Sequence, residues 1–151
     1  MTGLPTDVHP VLRRAPAPPA ALDLLAQAER GLEEAALRED AGDAYVAVHL
    51  AALRTAAAVL AVRGRPEATA RGRRSIRSVW DVLPEIAPEL NEWSALFAAS
   101  AVRRARVEAG VRGAVTRREA DDLARAAGVF LRLVEEQLRV QPVLPRGRRE
   151  T

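Results

Sequence analysis

The segment spanning residues 43–63, DAYVAVHLAALRTAAAVLAVR, most constrains the fold. Read as a helix, it is apolar on nearly every face. Tyr45, His49, Ala52, Ala56 and Leu60 run along one line, with Leu53 beside it. Val46, Leu50 and Ala57, and then Val48, Val59 and Val62, cover the flanks. Only Asp43, Arg54 and the alanines near them leave a route to water. A helix without a polar face has to be enclosed by others, so this segment belongs at the centre of a bundle. A chain of 151 residues is long enough for one such core.

The rest of the chain supplies the enclosing faces. A helix is expected over residues 19–38, opened by Pro19, with Ala21, Leu25, Ala28, Leu32, Ala35 and Ala36 as its stripe. A turn at residues 39–42 leads to Asp43 as the cap of the central helix. A turn that short between two long helices implies an antiparallel hairpin. Residues 63–77, RGRPEATARGRRSIR, read as a connector rich in Arg. Residues 78–83 suit a short helix stopped by Pro84, and Pro88 can open the next helix, which reaches to about Ala109. That helix lines up Leu90, Trp93, Phe97, Ser100, Ala101 and Arg104, and Gly110 and Gly113 end it. Thr116 and Glu119 then form a capping box. The last helix, to about Leu138, has the cleanest stripe in the chain: Ala120, Leu123, Ala127, Phe130, Leu131 and Val134, with Ala124 and Leu138. The expected fold is all-α, an up-and-down antiparallel four-helix bundle with a short extra helix in the middle crossover. It occupies residues 19–138, between proline- and arginine-rich tails at 1–18 and 139–151 that read as disordered.

Composition narrows the chemistry. There is no Cys, which excludes a disulfide scaffold and thiolate metal sites and is compatible with a cytoplasmic location. All 23 basic residues are Arg, as a GC-rich, for example actinobacterial, genome would produce. The net charge is only +3, so the basicity is modest. Apolar runs are cut by Arg or Glu short of the ~20 residues a membrane span needs, so no membrane association is expected. The start of the chain lacks the apolar stretch of a signal peptide.

Four groups could carry function. His49, with Tyr45 one turn away, reads either as a base or ligand, or as a core histidine satisfied by a neighbour. Metal binding would need several converging ligands, and the other histidine, His9, lies in the tail, so neither a metal nor a cofactor is expected. Arg71, Arg73, Arg74 and Arg77 of the connector, with Arg103 and Arg106, could grip phosphates or nucleic acid. The connector has no interleaved aromatics for base stacking, which favours a solvated loop over a phosphate grip. Arg104 falls on the apolar stripe and calls for a carboxylate partner, with Asp121 or Asp122 as candidates. Trp80 and Trp93 read as a ligand platform or as the bulky anchors of an alanine-rich core. Ser94 and Ser100 lack a His–acid pair, so no nucleophile constellation is visible.

The helix order and the placement of aromatics and alanines resemble a small actinobacterial family of HEPN-like helical domains. AYVAVHLAALRTAAAVLAVR, SVWDVLPEIAPELNEWSALFAASAVRRARVEAG and VTRREADDLARAAGVFLRLVEEQL carry the likeness, with APELNEW and VTRREADDL the most distinctive pieces. The resemblance implies an up-and-down helical bundle that often dimerises. Active HEPN members are metal-independent ribonucleases with an Arg followed four to six residues on by a His. Here no His follows Arg103, Arg104 or Arg106, and no Arg lies at that distance before His49. No catalytic residue therefore transfers. The resemblance implies a non-catalytic binding or regulatory module that dimerises and acts with a protein partner encoded nearby. Nucleic-acid or nucleotide binding through the arginines is the alternative, and an enzyme centred on His49 and Tyr45 a lesser one.

Overall fold

The computed structural model describes residues 17–64 and 78–139 and the backbone of two short segments near the ends. Among the described residues there are five α-helices: α1 Pro19–Ala36, α2 Ala41–Arg63, α3 Val79–Ile86, α4 Asn91–Glu108 and α5 Arg117–Arg139. A 3-10 turn at Pro88–Leu90 leads into α4. At the edge, Arg13–Arg14 (β1) pairs antiparallel with Pro142–Val143 (β2). A ladder of two residues per strand is too short for any periodicity to announce. Residues 1–12, 15–16, 140–141 and 144–151 of the two expected tails, and connector residues 65–77, lie outside the described residues.

α2 is the hub, touching α1, α3, α4 and α5. It buries Ala44, Val48, Ala51, Ala52, Ala56 and Val59 along with Tyr45 and His49, and leaves Leu50 half-exposed. Its small side chains let the neighbours approach closely: a Cβ on Gly31 of α1 would sit 3.5 Å from that of Ala51. By length and composition α2 could cross a membrane, contrary to the expectation from apolar run lengths, because Arg54 alone interrupts it. Half of its most apolar window is buried inside the bundle, as befits a core helix.

Local chemistry sets the helix ends. Pro19 opens α1 without losing a bond, since first-turn N–H groups have no helical partner anyway. α2 begins three residues earlier than its expected cap at Asp43 implies, and its cap is Asp40, whose Oδ2 accepts from Asp43 N at 2.9 Å. Asp43 sits instead within the first turn, where a carboxylate complements the helix dipole. Pro84 does not stop α3, which runs on to Ile86. The proline removes a single N–H from the ladder, while Ser78 caps the helix by accepting from Asp81 N at 3.2 Å. Gly110 and Gly113 adopt φ values of +82° and +66°, which end α4 as a side chain rarely could. The capping box forms as expected: Thr116 Oγ1 accepts from Glu119 N at 3.0 Å, and Glu119 Oε1 accepts from Thr116 N at 2.9 Å.

The α5 stripe is buried as expected, with Ala124 half-buried, whereas Ala36 of α1 faces solvent. Both Trp and both Phe residues gather in one stack. Phe97 lies 5.2 Å from Trp80 and 5.2 Å from Phe130 between ring centroids, and Trp93 closes the group at 5.4 Å from Phe130. This stack welds α3, α4 and α5, and Trp80 and Trp93 serve in it as core anchors. Burying a side chain such as Phe97, wholly inaccessible here, stabilises by roughly 1.5–3 kcal/mol relative to leaving it in water.

Candidate functional site

α2 and α4 run antiparallel, with Gly42 against Val107 at one end and His49 against Ser100 further along. That register brings together two polar positions on otherwise apolar stripes. His49 Nδ1 and Ser100 Oγ lie 2.7 Å apart, and Ser100 Oγ is 2.9 Å from the Phe97 carbonyl. The carbonyl can only accept, so the single Ser100 proton goes to it. Nδ1 therefore carries the imidazole proton and donates it to Ser100. Trp80 meets the same imidazole edge-on, at 5.9 Å between centroids.

Ser100 thus has a histidine partner, His49, brought to it from the facing helix. The proton nevertheless runs from imidazole to hydroxyl and on to a carbonyl, opposite to the direction that would activate a serine. His49 is 1% exposed and held neutral. Burial pushes its pKa down from 6.5 to about 4, Arg104 adds to the fall, and Glu108 opposes it. Tyr45 is buried beside this pair. Burial raises its phenol above the ordinary value, Arg103 and Ser100 pull it partly back, and Glu119 pushes it up.

Above Tyr45 and Ser100, α4 and α5 enclose a groove of about 350 Å³, bordered by Leu96, Ala99, Arg103 and Glu119. Arg103 of α4 reaches α5 as well, pairing with Glu119 of the capping box. This pairing, with backbone donation from Thr116 as the larger cause, lowers the Glu119 pKa. Arg104 does not find Asp121 or Asp122. It pairs with Glu108 one turn on, at 3.3 Å, because its place on the helix directs it along its own axis. Asp121 is taken by Arg117 at 3.6 Å, and Asp122 by Arg125. Arg106 is exposed, with no ion-pair partner among the described residues. Arg71, Arg73, Arg74 and Arg77 lie outside the described residues. No group of three or more His, Asp or Glu side chains placed to hold a metal ion occurs among the described residues.

The polar link of Ser100 to His49 is the feature that sequence reasoning missed. The signal was present, since each residue interrupts an apolar stripe of its own helix. What was lacking was the register that sets the two stripes face to face.

The architecture is that of an all-α up-and-down bundle closed around one apolar helix. The model of the SAV_6107-like HEPN family matches residues 35–135, from the end of α1 through most of α5. The chain belongs to this HEPN family. No curated protein and no solved structure matches the chain.

Proposed function

We propose that this chain is a non-catalytic HEPN module with a binding or regulatory role, acting as a homodimer with a further protein partner. One observation carries the proposal: His49 is consumed by the core. Its imidazole is sealed between Trp80 and Ser100, neutral and without access to solvent. A ribonuclease of this superfamily needs a His within reach of RNA, and no His follows the arginines of α4.

The test is incubation of the purified full-length chain with labelled RNA in the presence of EDTA. RNA stays intact, and His49→Ala lowers the melting temperature with no other effect. Metal-independent cleavage that disappears in a folded His49→Ala variant would sink the proposal. Salt-sensitive RNA or DNA binding at low ionic strength, read by fluorescence anisotropy, would replace it with the nucleic-acid alternative.

A further inference from the structure

α4 has an outer face that its surroundings leave uncovered. From Trp93 to Val102 the helix carries no charged side chain. Its inward positions, Ser94, Phe97 and Ser100, are buried. The opposite side presents Ala95, Leu96, Ala98, Ala99 and Val102 to solvent, with Leu96 41% and Val102 60% exposed. A scattered exposed Leu or Val is ordinary on a protein surface. Here the apolar residues are contiguous along two and a half turns, which marks an interaction surface.

The charges at the two ends of this face identify its partner. Glu92 lies on it near the start of α4, and Arg106 lies on it near the end. Both are exposed, and neither has an ion-pair partner among the described residues. The positions 92, 95, 99, 102 and 106 recur at spacings of three and four, so they form a single line along the helix. A second α4 laid antiparallel across a twofold axis at Ala99 sets Glu92 opposite Arg106 and Leu96 opposite Val102. The same contacts repeat on the other side of the axis, as an isologous interface requires. The small residues at 95, 98 and 99 let the two backbones approach closely.

We propose that the outer face of α4 is the homodimer interface, in which two copies of α4 pack antiparallel about Ala99 with reciprocal Glu92–Arg106 pairs. The inference deepens the dimer put forward above and rests on it.

Sedimentation equilibrium on the full-length chain and on charge variants tests the proposal. The unaltered chain sediments as a dimer. Glu92→Arg and Arg106→Glu each set like charges face to face twice, so each raises the dimer dissociation constant at least tenfold. Both sites are exposed, so melting curves of the variants show the folded monomer intact. An equimolar mixture of the two variants restores dimers, because every pair across the axis is then opposite in sign. The double variant Glu92→Arg/Arg106→Glu also dimerises.

If the unaltered chain is a dimer that ignores both single substitutions, the interface lies elsewhere; the α4 proposal falls while the dimer stands. If single variants dissociate but their mixture stays monomeric, the antiparallel register is wrong. A strictly monomeric unaltered chain overturns both the interface and the dimer.

Discussion

α4 and α5 are neighbouring helices that share one aromatic stack, yet they distribute polarity in opposite ways. α5 is apolar inside and charged outside. Its buried positions are Ala, Leu, Phe and Val, and its exposed ones include Arg118, Asp121, Asp122, Arg125, Arg132 and Glu136. α4 buries Ser94 and Ser100 beside Phe97 and turns alanine, leucine and valine to solvent. The difference teaches that helix patterning reports what a face meets. α5 meets the core on one side and water on the other. α4 meets a buried histidine on its inner side, and its outer side is apolar and open to solvent.

The largest effect expected from this contrast is one the two helices share. Phe97→Ala and Phe130→Ala each remove a fully buried ring from the same stack, and each is expected to cost about 3–5 kcal/mol in urea unfolding. A near-neutral result for either would break the picture of a single stack joining the helices.

The next effect separates the helices and comes from acid. Unfolded, His49 binds a proton near its ordinary pKa of 6.5; folded, it does so only near 4. The unfolded state therefore binds more protons between those values, and stability falls as the pH drops from about 6.5 to 4. The loss approaches about 3 kcal/mol at the acid end. The charged groups that bear on the imidazole are Arg104 and Glu108, both of α4. Thermal melts across this pH range are expected to show a slope that is missing from His49→Ala. An identical slope in that variant would place the acid-sensitive group elsewhere.

The smallest effect belongs to the outer face of α5. Arg125 pairs with Asp122 three residues before it, in full contact with solvent. Arg125→Ala is expected to change stability by no more than about 0.5 kcal/mol, because exposed ion pairs contribute little. A loss well above that would show that the charged face of α5 is not simply solvated.

How much was legible in the sequence follows the same division. The α5 stripe, its capping box and the glycines that stop α4 were all readable, because each is a local pattern with one physical cause. The hub role of α2 was readable too, since an all-apolar helix leaves no alternative to enclosure. The start of α2 was misplaced by three residues because Asp40 and Asp43 are both able caps, and only the backbone decides between them. Pro84 was read as a stop although a helix as short as α3 loses a single bond by carrying it. The i,i+4 pairing of Arg104 with Glu108 was open to reading, but the partners of Arg103 and Ser100 depend on the rotation and register of α4 against its neighbours. Those quantities arise from packing and leave no trace in residue spacing along one helix.

A contact at the far end of the bundle bears on how the molecule is completed. The guanidinium of Arg117, at the start of α5, donates to the carbonyls of Arg38 and Glu39 at 3.0 and 2.6 Å. Those carbonyls belong to the turn that joins α1 to α2. On the ribosome, the first hairpin is made while the side chain that closes its bend lies 79 residues downstream of Arg38. The α1–α2 hairpin therefore waits for α5 to finish it, and the clasp ties a bend made earlier to a helix made later.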